Sequence, residues 1–152
     1  MSIRQDSRLI AIVDDNESVQ RALRDLLESE GLSTLCFGSA EEFLNSGAQY
    51  KAASLIADIR LPGISGLELQ AKLKAVRCPI PIILITALDD AGMRAFALRN
   101  GAVELLTKPF DDAVLLKTIH VTLETAAPAE VSNEDREVSN LEKRSRREGS
   151  QR

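Results

Sequence analysis

Apolar residues along the chain fall into five short runs, at residues 9–13, 32–37, 53–57, 80–85 and 103–106. Each run has the length of a β-strand, and three of them are almost continuously apolar rather than alternating with polar residues. Continuous apolar runs are typical of strands that are buried on both faces of a parallel sheet. The pattern therefore predicts five strands.

Segments with helical spacing fill the intervals between these runs. The first spans about residues 16–30, places Val19, Leu23 and Leu26 on one face, and ends at Gly31. Three further helices are predicted at about residues 65–75, 90–100 and 111–125.

A short second helix is predicted after Ser39. Ser39 and Glu42 have the spacing of a capping box, in which each side chain accepts a hydrogen bond from the other residue's backbone.

Five strands alternating with five helices indicate an α/β fold, because parallel strands need crossover connections that helices usually supply. We predict a doubly wound, five-stranded parallel sheet with the strand order 2-1-3-4-5, taken by analogy from known sheets of this kind. In that order the carboxyl ends of strands 1 and 3 lie side by side, at the crevice where such sheets bind ligands.

The composition changes after Pro128. Residues 129–152 contain six acidic and six basic residues but only three sizeable apolar ones, Val131, Val138 and Leu141. We predict one domain over residues 1–127 and a charged tail over residues 128–152 that is disordered or partly helical. The basic run at residues 143–147 is interpreted as a solvated part of this tail.

Charge and cysteine content narrow the class of protein. The formal net charge of -4 disfavours a nucleic-acid-binding core, which would present clustered Lys and Arg. No run reaches the roughly 18 apolar residues of a membrane span, and the polar start has no signal-peptide core. Cys36 and Cys78 lack the spacing of a metal site and are expected to be reduced thiols. We expect a cytoplasmic protein without a membrane partner.

Pairs of aspartates occur at residues 14–15, 89–90 and 111–112, each before a predicted helix. Aspartate stabilises helix N-termini, and we interpret the second and third pairs as caps. The first pair follows strand 1 and Asp58 ends strand 3, so the predicted sheet gathers three carboxylates whose repulsion opposes folding. A bound cation would resolve the conflict, and oxygen ligands favour Mg²⁺ or Mn²⁺.

Two further polar side chains fall at strand ends on the same predicted edge. Thr86 ends strand 4 in "ILITA", and Lys108 follows strand 5 in "LLTKPF". Each has a simpler explanation when taken alone, as a strand end or a solvated charge. A hydroxyl, an ammonium group and a cation around one carboxylate form a site for a phosphoryl group.

The segments that hold these residues resemble the receiver domain of two-component response regulators, the CheY-like family. They are "IVDDNE", "ADIRLPGISGLEL", "ILITA" and "GAVELLTKPF", in the family's order and spacing, and the resemblance covers residues 8–125. "CFGSAEEFL" is further similar to the FixJ-type branch. The resemblance implies the CheY-like, flavodoxin-like version of the predicted fold.

The resemblance also implies a phosphoacceptor and a metal site. Asp58 is the implied phosphoacceptor, and the donor is a histidine on a separate kinase or phosphotransfer protein. The implied Mg²⁺ ligands are Asp14, Asp15, Asp58 and the backbone carbonyl of Arg60.

The remaining implied roles concern the phosphoryl group and the switch. Thr86, Lys108 and the Ala87 amide contact the phosphoryl group, and the Lys108–Pro109 bond is cis. Thr86 and Leu105 are the switch residues, although the family usually has an aromatic residue at the second position. We therefore expect a backbone shift in which Leu105 fills the space that Thr86 vacates.

Three classes of function stay open at this level. The leading hypothesis is a phosphorelay receiver that switches binding to a downstream protein or homodimerisation, since the fifth helix is apolar on more than one side. The second is the receiver portion of a FixJ-type transcription regulator whose DNA-binding domain is missing. The third, a Mg-dependent aspartyl-phosphate phosphatase, is weakened because "VDDNES" lacks the DxD spacing of such enzymes.

Overall fold

The computed structural model describes residues 6–88 and 90–131. Strands and helices alternate through this part of the chain. In chain order they are β1 (Asp6–Val13), α1 (Glu17–Ser29), β2 (Ser33–Phe37), α2 (Ala40–Ser46), β3 (Ala52–Asp58), α3 (Gly66–Ala75), β4 (Ile82–Thr86), α4 (Ala91–Arg99), β5 (Glu104–Thr107) and α5 (Asp112–Val131). All the predicted strands and helices are present, and a 3₁₀ turn at Ala48–Tyr50 precedes β3.

The strands form one parallel sheet in the order β2-β1-β3-β4-β5. The predicted strand order and the CheY-like α/β fold are therefore confirmed. Val13 at the end of β1 pairs with Ala57 of β3, and Asp58 pairs with Ile85 of β4. Because the strands are parallel, the residues that follow β1, β3 and β4 leave the sheet at the same edge.

Both faces of the sheet are covered. Alternate residues of the central strands, such as Val13 and Leu55, belong to an apolar cluster that includes Phe43 of α2 and Leu69 of α3. The intervening residues Ile10 and Ile12 of β1 are equally buried, and every residue of β3 is inaccessible or nearly so. Two-sided burial explains why these strands are continuously apolar, and it makes a charged residue at the end of β3 unusual.

The starts of α2 and α3 show how far the capping patterns predict contacts. Ser65 and Glu68 form a reciprocal capping box at α3. Ser39 caps α2 as predicted, since its hydroxyl oxygen accepts from the Glu42 amide at 3.1 Å. The reciprocal half of that predicted box is wrong, because the Glu42 carboxylate accepts from the amide of Gly38 and not from that of Ser39.

The compact unit that contains the sheet is Met1–Ile119, and a second unit begins at His120. Of the second unit, the structure describes the helical residues 120–131. The predicted tail lies outside the described residues except for its first four positions, and so does its basic run at 143–147. The domain division after residue 127 stays a prediction.

Candidate functional site

Three carboxylates meet at the carboxyl edge of the sheet. Asp14 and Asp15 follow β1, and Asp58 ends the neighbouring strand β3. One oxygen from each of the three lies within 4.8 Å of the others. Asp14 is 0% and Asp58 is 7% exposed, whereas Asp15 is open to solvent. The predicted clustering of these acids is confirmed.

Lys108 brings a positive charge to this cluster. It follows β5 and its ammonium nitrogen lies 2.9 Å from Asp58 Oδ2 and 3.5 Å from Asp14 Oδ2. Its side chain is 27% exposed, so its charge is only partly screened by solvent. A single cation therefore neutralises part of the charge on two buried carboxylates at once.

The ionisation of the cluster reflects the balance between burial and charge. Burial raises the pKa of Asp14, with a contribution from the nearby Asp58, although the Asn16 amide and the Lys108 charge act in the opposite direction. Burial alone would lower the pKa of Lys108, but the hydrogen bond from Lys108 to Asp58 and the charges of both aspartates raise it overall. Lys108 therefore stays protonated, and an additional cation would favour ionised Asp14.

Helix capping does not account for the acids before α1. Asn16 caps this helix, because its side-chain oxygen accepts from the amides of Ser18 at 2.8 Å and Val19 at 3.2 Å. Asp14 Oδ1 accepts from the Asn16 amide at 2.9 Å, which leaves its other oxygen facing Lys108. Asp14 and Asp15 are therefore not needed to cap α1, and their carboxylates can face the crevice.

The other two pairs fit the capping interpretation where they are described. Asp90 accepts from the amides of Gly92 at 2.9 Å and Met93 at 3.1 Å and caps α4. Asp111 Oδ1 accepts from the Ala113 amide at 2.7 Å in the first turn of α5. Asp89 lies outside the described residues.

Close packing under Asp58 depends on a glycine that sequence analysis did not single out. Gly66 begins α3, and a Cβ there would lie 2.5 Å from the Asp58 carbonyl oxygen and 2.8 Å from the Ile59 Cα. The Gly66 amide donates to the Ile59 carbonyl at 2.9 Å. Glycine lowers helix propensity and is usually found where a turn requires it. A glycine in a predicted helix with no evident turn was the one feature of the sequence that could have indicated a close approach of two backbones.

Thr86 and Leu105 lie on the adjoining strands. Thr86 is fully buried at the end of β4, and its hydroxyl oxygen accepts from the Leu88 amide at 3.1 Å. The Thr86 carbonyl accepts from the Lys108 amide at 2.7 Å, which links the ends of β4 and β5. Leu105 is buried in β5 beside Leu84.

The structure brings the remaining predicted site residues to the carboxyl edge of the sheet. Ala87 is exposed directly after Thr86, and Arg60 is exposed two residues after Asp58. The Lys108–Pro109 bond is cis, as predicted. The placement of these residues agrees with the prediction, whereas their individual roles stay predictions.

The residues at the crevice fit a hard divalent cation. The three side chains offer only carboxylate oxygens, and the buried Asp14 has a raised pKa because its charge is poorly solvated. Hard cations such as Mg²⁺ prefer this kind of ligand and retain water, which suits a site with one exposed carboxylate.

Comparison with known families identifies this arrangement. The family described as "Response regulator receiver domain" matches residues 10–120, which is most of the chain. The chain belongs to this receiver domain family. As a receiver domain it is a signalling phosphoacceptor of two-component systems rather than a conventional enzyme, and the family implies a histidine kinase partner.

Several response regulators are similar to this receiver domain in sequence. TodT of Pseudomonas putida is 43% identical over 133 residues, covering 88% of this chain and 58% of TodT. Nodulation protein W of Bradyrhizobium diazoefficiens is 41% identical over 111 residues, covering 73% of this chain and 49% of that protein. The transcriptional regulatory protein FixJ of Azorhizobium caulinodans is 35% identical over 122 residues, covering 80% and 58%. The chain thus spans about half the length of these relatives.

Solved structures agree with the sequence relatives. The crystal structure of FixJ-N is 36% identical and superposes with a TM-score of 0.71, covering 79% of this chain and 95% of that one. Response regulator StyR is 38% identical with a TM-score of 0.76, covering 85% of this chain and 65% of StyR. The predicted resemblance to FixJ-type receivers is confirmed. Within the part of the receiver that the structure describes, no helix is long and apolar enough to span a bilayer.

Proposed function

We propose that Asp58 accepts a phosphoryl group from a histidine kinase or a histidine phosphotransfer protein and that the resulting aspartyl phosphate switches the domain. The observation that carries this proposal is the Lys108 ammonium, 2.9 Å from Asp58 and 3.5 Å from Asp14 in a crevice that holds a third carboxylate. A buried acidic cluster that shares one lysine has the perturbed ionisation that is common at functional sites, which supports phosphoryl binding in this crevice.

The proposed metal site consists of Asp14, Asp15, Asp58 and the backbone carbonyl of Arg60. When bound there, Mg²⁺, or Mn²⁺ in its place, supplies positive charge that offsets the phosphoryl oxygens and the three carboxylates. Asp15 is the exposed member of the set, so it offers a ligand without the desolvation cost carried by Asp14.

The chain's own residues account for the transfer. A carboxylate oxygen of Asp58 forms a bond to phosphorus as the phosphorus–nitrogen bond of the donor phosphohistidine breaks, and the electron pair leaves with the imidazole. The Lys108 ammonium, already in contact with Asp58, stabilises charge on the transferring group. In the proposal the Ala87 amide and the Thr86 hydroxyl donate to the phosphoryl oxygens.

Switching then follows from the present contact of Thr86. Its hydroxyl oxygen accepts from the Leu88 amide, and a phosphoryl group on Asp58 would offer a charged acceptor to the hydroxyl proton. We propose that Thr86 moves toward this acceptor and that Leu105 fills the space left beside β4. Because Leu105 is apolar and buried, it has no polar group to satisfy at either position.

The phosphoryl state is proposed to be comparatively long-lived. Arg60 and Leu88 occupy the positions that influence hydrolysis in this family, and both are exposed at the rim. Neither side chain has a carboxamide that could orient an attacking water. Loss of a radiolabel as fast as in the quickest members of the family would refute this part of the proposal.

The decisive experiment is mass spectrometry of the intact protein after incubation with acetyl phosphate and Mg²⁺. The native chain should gain the mass of one phosphoryl group, and Asp58→Asn should gain none, because its carboxamide is a poor nucleophile. Asp111→Asn is the matched control and should be modified like the native chain. A phosphoryl group that persists on Asp58→Asn would show that another residue is the acceptor.

The same experiment separates a receiver from the phosphatase alternative, which the family match already disfavours. A receiver retains one phosphoryl group per chain, whereas a phosphatase would turn over small phosphate esters repeatedly.

We place the reaction in the cytoplasm, a compartment consistent with the free thiols of Cys36 and Cys78.

A second proposal concerns output. The matched stretches make up only 58% of TodT and of FixJ, and FixJ is named a transcriptional regulatory protein. This supports the alternative that the domain is the receiver portion of a FixJ-type transcription regulator. Salt-dependent DNA binding by this chain, lost when residues 129–152 are removed, would support a DNA-binding role for the tail.

Homodimerisation is the other proposed output, alongside binding to a downstream protein. Exposed apolar side chains such as Leu88, Val103 and Val114 are available for contact with a partner. Sedimentation of the native chain with and without phosphoryl donor should show a donor-dependent dimer, and an unchanged monomer would leave binding to another protein as the output.

A further inference from the structure

The loop between β3 and α3, residues 59–65, is tied directly to the Asp58 side chain. The Arg60 amide donates to Asp58 Oδ1 at 3.0 Å, so the start of the loop helps to orient the carboxylate. At the other end, the Gly66 amide donates to the Ile59 carbonyl at 2.9 Å. The two ends of the loop are therefore anchored at the end of β3.

Glu41 of α2 reaches the middle of the same loop. The Ile64 amide donates to Glu41 Oε2 at 3.2 Å, although the two residues are 23 positions apart in the sequence. The same carboxylate lies over Gly63, where a Cβ would be 2.5 Å from Glu41 Oε2. Gly63 also has a φ of 75°, a conformation that other residues rarely adopt. The loop is shaped so that the Glu41 carboxylate can approach its backbone.

This contact is separate from the capping of α2. Ser39 caps the helix, and the carboxylate of the adjacent Glu42 accepts from the Gly38 amide at 3.0 Å. Glu41 thus has no required role in starting its own helix. Its position in the first turn is favourable for a carboxylate because of the helix dipole, which lowers the cost of holding the charge there.

We propose that Glu41 is a positioning residue for the phosphoacceptor. By holding the Ile64 amide, it stabilises the loop whose Arg60 amide orients Asp58 and whose Arg60 carbonyl is a proposed metal ligand. Pro62 lies between these two points, and its fixed φ reduces the number of conformations open to the loop. This inference rests on the proposed function and extends it to a residue on α2.

The test uses Mn²⁺ alone as the probe, titrated into the full chain and followed by the electron paramagnetic resonance of the free ion. Glu41→Ala should weaken Mn²⁺ binding about fivefold. Removing a group that orients a metal ligand directly typically costs about 10- to 100-fold, and Glu41 acts one step further away, through the loop. It should also raise the Mg²⁺ concentration needed for half-maximal phosphorylation by acetyl phosphate by a similar factor. Glu41→Gln retains an oxygen acceptor and should recover part of the loss.

Glu42→Gln is the matched control. It removes the same charge from the neighbouring position of α2, but its contact is to Gly38 and not to the loop. Native-like Mn²⁺ binding in this control would show that the effect at Glu41 is not a general loss of negative charge near the crevice. Urea unfolding of each variant establishes that all of them are folded under the conditions of the titration.

Two outcomes would overturn the inference in distinguishable ways. If Glu41→Ala lowers the free energy of unfolding but binds Mn²⁺ as Glu42→Gln does, Glu41 only braces the loop, and the proposed function stands without it. If the native chain itself gains no phosphoryl group from acetyl phosphate with Mg²⁺, the proposed function fails and the positioning role fails with it.

Discussion

Two stretches of the carboxyl rim of the sheet have the same local sequence pattern and different uses. Before α4, the sequence has an aspartate pair, and Asp90 accepts from two amides in the first turn of the helix. Before α1, the sequence also has an aspartate pair, but Asn16 supplies the cap. Asp14 and Asp15 are consequently available to face Asp58.

The comparison shows that an aspartate before a helix becomes available for chemistry when a neighbouring residue takes over capping. It also shows the cost of that availability, since burial raises the pKa of Asp14 and the cluster needs the charge of Lys108. The rim before α4 carries no comparable cost, because Asp90 is exposed and satisfied by backbone amides. Four predictions follow from this contrast.

The largest expected effect concerns two glycines in the first turns of helices, Gly66 in α3 and Gly92 in α4. Gly66→Ala places a Cβ 2.5 Å from the Asp58 carbonyl, so backbone must move, and we expect a loss of about 3 kcal/mol in the free energy of unfolding. Gly92→Ala in α4 meets only the flexible Asp90 side chain at 3.3 Å and should stay within about 1 kcal/mol of the native chain. Urea unfolding measures both, and equal losses would contradict the close-approach explanation.

The second prediction compares the removal of one exposed acid before α1, Asp15, with the removal of one before α4, Asp90. Asp15→Ala removes a proposed metal ligand and should weaken Mn²⁺ binding by about 30-fold, within the range reported for residues that support metal sites. Asp90→Ala should leave Mn²⁺ binding unchanged, because Asp90 serves only the helix. The resonance signal of free Mn²⁺ measures both constants. Equal affinities in the two variants would remove the distinction between the rims.

The third prediction compares the loss of stability when the ion pairs of Lys108 and of Arg94 are removed. Lys108→Met leaves two buried carboxylates without their shared cation, and without divalent ions it should lower the free energy of unfolding by about 2 kcal/mol. Arg94→Met removes a partly exposed ion pair with Glu104 and a hydrogen bond to the Leu105 carbonyl, and it should cost about 1 kcal/mol. Chemical denaturation in a chelating buffer is the measurement, and an unaffected Lys108→Met variant would show that the acids are adequately solvated without it.

The smallest expected effect comes from removing the Asp90 cap of α4. Asp90→Ala should lower the free energy of unfolding by about 1 kcal/mol, since two amides of the first turn lose their acceptor. Asp15→Ala should cause no loss in metal-free buffer, because it caps nothing and its removal relieves repulsion within the cluster. A loss of equal size in both variants, measured by urea unfolding, would mean that Asp15 has a structural role.

Sequence patterns predicted the fold to the level of individual elements. The continuous apolar runs of β3 and β4 correspond to strands that are buried along their whole length, because both faces of the sheet are covered there. Helix capping was less predictable. The Ser39–Glu42 spacing indicated a reciprocal box, yet the Glu42 carboxylate accepts from the amide of Gly38, the residue before the cap.

The candidate site was predictable as far as strand ends are concerned. Asp14, Asp58 and Lys108 come together because parallel strands end at one edge, which the alternating pattern implies, and because β1 lies beside β3, an order that was taken by analogy. Gly66 and Glu41 were not predictable, because their contacts depend on how closely α3 and α2 approach the end of β3. Local spacing contains no information on that distance.

By itself, the sequence determined the alternation of buried strands and helices, the acid at the end of β3 and the residues at the neighbouring strand ends, since these depend on periodicity and chain order. Only the tertiary structure decided that Asn16 caps α1, where the Lys108 ammonium lies, and that Glu41 holds the loop beside Asp58. The physical reason is that hydrogen bonds and ion pairs act over about 3 Å, a distance set by the packing of elements that are remote in the sequence.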